Sequence, residues 1–406
     1  MKAKSESSHT SGAAAGSNGY AAEQILEAAI DVACRYGVAE VGPRPLAVRK
    51  GVHRSAVNYH FGGQEQLVGA VRQRLLQDRL EELQRAVERL SSQPAHLVSM
   101  PSFFVAVVAQ DAFSNSGRAA FLAEVVSAAT ADGAPPEFDL AIDDALRNAW
   151  RAAADTLGEG HNWEAWYLLA AGAPSFAMLA HDDPLALGWL VEVANRFSDR
   201  LVGRRVVAAR GIDTGSDTPF TQLEQYGGEQ ARLVIDAAAR QLVECGGRLT
   251  YRAIAAAAGV PLSTTKYLFP NRRDLIVAAY LRLHAVMLAR SGLVAKQPIS
   301  MGEPFSVDGV LQGHTVAIER LGIMVRRDPE LGFLGTRMQR MRGRMAELQL
   351  RANGVSDADQ LDGLIWSLLV AGVLAGTRIL PAAERAERFR IQARGLAAQL
   401  FRSSAS

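Results

Sequence analysis

Two windows of this sequence hold basic side chains and no acid. Val41 to Gln64 carries Arg44, Arg49, Lys50 and Arg54. Cys245 to Arg273 carries Arg248, Arg252, Lys266, Arg272 and Arg273. The formal net charge of all 406 residues is only +2, so the remainder of the chain is acidic. Cations gathered away from acids suit contact with phosphates and release of their counterions. Other chemistries find less support. Ser263 and Lys266 have the Ser-x-x-Lys spacing of acylating serines, but no companion motif follows. The eight histidines are scattered with no His-x-x-x-His spacing, and two cysteines, Cys34 and Cys245, make neither a zinc site nor a disulfide framework. Gly158-Glu159-Gly160 follows no strand, so it is not a phosphate loop. No catalytic residue, metal or cofactor is expected, and the chain does not read as an enzyme.

The two windows belong to an internal repeat. Gly51 to Phe61 aligns without a gap on Gly259 to Phe269. The same register puts Ala29 on Ala237, Arg44 on Arg252, Ala47 on Ala255 and Leu67 on Leu275. Ile25 and Leu46 fall on Leu233 and Ile254. A second, weaker match puts Trp166, Leu168, Leu169, Ala171 and Gly172 on Trp366, Leu368, Leu369, Ala371 and Gly372. Its offset of 200, against 208 for the first, makes the second copy about eight residues shorter in its middle. Each copy predicts a helix followed by two short helices around a glycine turn, a helix-turn-helix. In copy one these run to about Gly37, over Arg44–Lys50 and over Arg54–Phe61. In copy two they run over Gln230–Glu244, Tyr251–Ala258 and Ser263–Phe269, with Thr250 placed as an N-cap. Pro43 and Pro45 require the first short helix to begin at or after Pro43.

Gly51-Val52 through Asn58-Tyr59-His60-Phe61, with Glu65 and Leu67, resembles the N-terminal signature of the TetR/AcrR regulators. Gly259-Val260-Pro261 through Tyr267-Leu268-Phe269, with Asp274-Leu275, resembles it again. The resemblance covers about fifty residues of each copy. It implies an all-α fold of two tandem TetR-like units, each a helix-turn-helix domain followed by a helical ligand-binding and dimerisation domain. It also implies a repressor on a double-stranded DNA operator, released by a small-molecule effector. The chain departs from the family in carrying two units, and in having Gln64 and Arg272 where the family often has lysine.

The expected DNA contacts in copy one are Arg54, Ser55, Asn58, Tyr59 and His60, supported by Arg44, Arg49 and Lys50. In copy two they are Ser263, Thr264, Lys266 and Tyr267, with Arg252 and Arg272. Tyr59 and Tyr267 stand where the family commonly contacts a phosphate, and Leu268 opposite His60 makes His60 equally a packing residue. Arg and Asn favour guanine and adenine edges, whereas Leu and Thr favour a thymine methyl. The two helices are therefore expected to read different half-sites.

The expected domains are a disordered tail over 1–19, a helix-turn-helix over 20–70, a regulatory domain over 71–205 and a linker over 206–225. A second helix-turn-helix over 226–280 and a second regulatory domain over 281–406 follow. Copy one is rich in aromatics, and Phe104, Phe121, Trp150 and Trp166 are candidate walls of a pocket for an apolar or aromatic effector. Copy two is richer in methionine, including Met338, Met341 and Met345; such residues at helical spacing more often form core than a ligand box. Ala165–Ala180, Leu185–Val202, Leu361–Ile379 and Ala382–Phe401 are candidate dimer helices, and an intramolecular pseudo-dimer is expected, with a further homodimer left open. The longest uncharged run, Gly363 to Thr377, is short of a bilayer span, and the N-terminus lacks a signal peptide. The chain is expected to be cytoplasmic with no membrane partner. The alternative is a ligand- or protein-binding helical module that has lost sequence-specific DNA binding.

Overall fold

The computed structural model describes residues 11–94, 97–128, 137–180, 185–204, 223–244, 249–294, 309–328, 331–377, 380 and 382–401. They are helical throughout, with no strand among them. Most of the expected linker, together with Cys245 and Arg248, lies outside the described residues. The chain divides into two compact units, Met1–Asp78 and Arg79–Ser406.

The first unit opens with α1, Ser11–Tyr36, which buries Ile25, Ala29, Val32 and Ala33. The helix begins at Ser11, inside the stretch expected as a tail over 1–19. Ala13, Ala14 and Ala15 supply the reason, alanine being the strongest helix former. Helix α2, Pro43–Lys50, starts on Pro43, whose missing N–H is an orphan donor at that position in any helix. Gly51 then turns the chain at φ 69°, a left-handed conformation that glycine enters without strain. Helix α3, Arg54–Phe61, follows, and then α4, Gln64–Leu90. Arg74 on α4 reaches Glu23 at 2.7 Å and Glu27 at 3.4 Å, pinning α4 to α1. Leu46, Val57, Leu67 and Val71 complete this small core.

The second unit holds the rest of α4, then α5 (Met100–Ala109), α6 (Ser116–Ala128), α7 (Glu137–Thr156), α8 (Trp163–Gly172), α9 (Pro174–Ala180) and α10 (Ala186–Leu201). The second copy follows with α11 (Glu229–Glu244), α12 (Tyr251–Ala258), α13 (Leu262–Leu268), α14 (Arg272–Val294) and α15 (Gly309–Arg327). It ends with α16 (Gly332–Met341), α17 (Arg344–Ala352), α18 (Gln360–Thr377) and α19 (Ala382–Leu400). Gly259 repeats the turn of Gly51 at φ 67°, and Thr250 Oγ1 accepts from the Ala253 N–H at 3.2 Å as the N-cap. The copies also differ in their middle helices. At the offset of 200, the 20-residue α7 falls on the end of α16 and on α17, which Arg342 and Gly343 separate. One matched pair parts company: Ile25 is buried but Leu233 is exposed.

Helices α8 and α18 pack with almost no side chain between them. A methyl group on Gly172 would overlap the Leu368 carbonyl oxygen, and one on Gly372 would overlap that of Leu168. The two clashes are the same contact seen from either copy, at the offset of 200. Trp166 stacks edge-on against Phe197 of α10 at 4.8 Å, and Trp366 against Phe401 at 6.1 Å. Helix α18 is long and apolar enough to cross a membrane, yet 67% of it is buried inside the molecule. The symmetry is broken by α9. Its Leu179 enters the core of the second copy, beside Leu321, Leu334 and Met338.

Candidate nucleic-acid interface

Helix α3 presents Arg54, Ser55, Asn58 and Tyr59 to solvent and buries Val57 toward α1 and α2. Helix α13 presents Ser263, Lys266 and Tyr267 and buries Thr265. One face of each short helix is therefore anchored and the other is free to meet a partner. Tyr59 is 74% exposed and Tyr267 84%. Most of each ring therefore faces solvent. Thr264 is only half-buried, and so is His60, whose ring meets that of Tyr59 edge-on at 5.0 Å. Its counterpart Leu268 is half-buried as well, which fits the packing role. Ser55 Oγ lies 2.8 Å from His53 Nδ1, so the side chain that starts α3 is already engaged locally.

The supporting cations are not equal. Arg49 lies 3.0 Å from Glu40 and stacks over the Tyr36 ring at 3.9 Å. Lys50 lies 2.6 Å from Asp31, and its hydrogen bond holds that carboxyl below the usual carboxylate range. Both acids precede the acid-free window, so the window overstated the free positive charge of copy one. Arg44 and Arg54 are exposed and meet no carboxylate among the described residues, and the same holds for Arg252 and Lys266 in copy two. Arg272 is half-open and 3.9 Å from Asp328. Arg273 is exposed and lies over the Phe333 ring of α16 at 3.6 Å. The Tyr251 hydroxyl donates to the Phe269 carbonyl at 2.9 Å, fixing α13 against α12.

The four aromatics expected to line a pocket in copy one form packed core. Phe104 lies against Trp150 and Trp166, and Phe121 is fully buried. Of the four, Trp150 alone lines the cavity of about 60 Å³ found in that half. Three polar contacts occupy this cavity. Arg118 meets Glu82 at 2.7 Å and Asp111 at 2.8 Å, and Arg79 meets Asp111 at 2.9 Å. A π-helical turn over Gln110–Ser114 carries Asp111 there.

A larger cavity, about 110 Å³, lies in copy two among α14, α15, α16, α17 and α18, with Leu179 of α9 also in its wall. Tyr167, Ala170 and Ala171 line the first cavity, and their counterparts Ser367, Val370 and Ala371 line the second. The two are the same site of the repeat. Sequence reasoning missed the second, although the methionines Met338, Met341 and Met345 that line it had marked copy two. No protein-family model matches the chain, and no curated protein matches its sequence.

Proposed function

We propose that the protein is a DNA-binding transcriptional regulator of the TetR/AcrR type. Its two helix-turn-helix units would read an operator as a repressor and release it when a small molecule binds. The observation that carries this reading is the repeated exposed surface. Two short helices, each set by a left-handed glycine turn, present a serine and a tyrosine at equivalent positions, with an exposed cation beside them at a different place on each, Arg54 on one and Lys266 on the other. Arg54 and Asn58 against Leu262 and Lys266 make the two surfaces chemically different, which favours an asymmetric operator. The α8–α18 contact supports a pseudo-dimer formed within one chain, since it joins corresponding helices of the two copies through corresponding glycines.

The test is selection of genomic fragments on the purified chain, with footprints of the selected sites across a salt series. One asymmetric site per chain, weakening steeply with salt, is the expected result. A perfect palindrome filled by a single chain would remove the different-half-site reading. Absence of any salt-sensitive site would replace the whole reading with the binding module that has lost DNA recognition.

A further inference from the structure

The cavity in copy two differs from its counterpart in the charge of the side chains that line it. In copy one, Glu82 and Asp111 neutralise Arg79 and Arg118 within the cavity wall. In copy two, Arg342 and His284 line the wall, and no Asp or Glu among the described residues does so. The remaining surface is apolar and adaptable, with Met338, Met341 and Met345 among its walls. His284 is 6% exposed, and its Nε2 is buried without a hydrogen-bond partner. A buried polar atom left unpaired is costly, so such atoms are rare unless a ligand or water completes them.

We infer that copy two holds the effector site and that its ligand is an amphipathic anion, a carboxylate carried on an apolar chain. The carboxylate lies against Arg342 and accepts from His284, and the chain lies among the methionines. Copy one has filled the equivalent site with its own carboxylates and binds no such ligand. The environment agrees. Burial pulls the Arg342 guanidinium down to about 10, and burial, with Arg337 nearby, pulls the His284 imidazole down to about 4. Both groups are held at a cost that an incoming anion would relieve. Tyr280 and His284 sit on α14, the helix that begins directly after the second helix-turn-helix, so occupancy at this wall bears on the proposed DNA-reading element. The inference rests on the ligand-responsive reading above.

The test titrates the full-length chain with hexanoate, octanoate and decanoate, and with the alcohols and amines of the same chain lengths, following heat and thermal melting. At least one carboxylate should bind about tenfold or more tightly than its alcohol, and the amines should not bind. Arg342→Met, which keeps an unbranched side chain, should erase the preference for acid over alcohol. Arg118→Met in copy one should leave it intact. Alcohol and acid binding equally to the wild-type chain would overturn the inference without any variant having to fold. So would failure of the whole series, or a preference that survives Arg342→Met. Since the readout uses no DNA, its failure is separate from that of the regulator reading. A chain that footprints a salt-sensitive site but ignores the carboxylates loses only the ligand class, and one that binds octanoate but no DNA loses only the regulator.

Discussion

Arg54 and Arg49 carry the same charge on adjacent helices, yet they should not weigh equally on DNA. Arg54 is exposed at the start of α3, where early residues of a recognition helix reach base edges. Arg49 already has Glu40 and the Tyr36 ring. Arg54→Ala should weaken operator binding by about 1–3 kcal/mol and relax preference at one base pair. Arg49→Ala should cause a smaller and sequence-independent loss, since a contact to DNA would first have to give up the ion pair. Lys266→Ala in copy two should lower the slope of log affinity against log salt by about one. Equal losses from the two arginines in a binding titration would remove this ranking. His284 gives a second residue-scale expectation. Its folded pKa near 4 lies below the unfolded value of 6.5, so the unfolded chain binds the extra proton first. Stability is therefore full above about pH 6.5 and falls as the pH drops toward 4, with a slope of up to about 1.4 kcal/mol per pH unit. Urea midpoints across that range should fall less steeply for His284→Gln. These residues also mark the limit of reading from sequence. The exposed tyrosines and the glycine turns follow from local spacing. The partners Glu40 and Asp31 were outside a linear window but inside hydrogen-bond reach, and the pairing of Arg118 with Glu82 needs helix packing that no spacing reveals.

At the scale of elements, the repeat predicted two helix-turn-helix units whose bounds agree with the observed helices within a residue or so at most ends, because propensity, proline position and capping all act locally there. Where α7 is one helix in copy one, the matching stretch of copy two is broken at Gly343, with φ 87°, into α16 and α17. The start of α1 and the cavity of copy two were not legible. The first was read from composition alone, and the second arises where helices from both copies meet. The α8–α18 crossing allows a direct test of element packing. Its two backbones approach where Gly172 and Gly372 leave no room for a side chain. Gly372→Ala should move the helices apart and destabilise the chain by about 1–3 kcal/mol, although alanine favours an isolated helix. A gain in the urea midpoint would mean that the crossing is looser than its geometry.

At the scale of the whole chain, the question is why unlike copies should pair rather than like ones. A charged cluster in the second unit supplies a physical answer. Arg200 of α10 grips Asp362 of α18 with two contacts, at 2.7 and 2.9 Å, and reaches Asp357 at 2.9 Å. Arg196 reaches Asp359 at 3.0 Å and Asp362 at 3.2 Å. Asp362 has no exposed surface. At the same offset of 200, Asn162 stands in place of Asp362, and Leu396 and Leu400 stand in place of Arg196 and Arg200. Asn162 accepts from Gln399 at 2.8 Å, a neutral contact at the other end of the same interface. Two second copies brought together would set each Asp362 against leucines, an unpaired buried charge. Two first copies would lose Asp362 as the partner of both arginines. The penalty falls on every pairing except copy one with copy two. Breaking the cluster from one side should therefore be costly, and removing a complete pair should not. Asp362→Leu alone should destabilise the chain by about 3–5 kcal/mol, because Arg196 and Arg200 both lose their shared buried carboxylate and Arg200 keeps only the exposed Asp357. Asp362→Leu combined with Arg200→Leu should recover most of that loss, since Arg196 keeps Asp359. A double-mutant cycle in urea reads the coupling directly. Additive losses would show that the two side chains act independently, and the cluster would then be no guide to which copies pair.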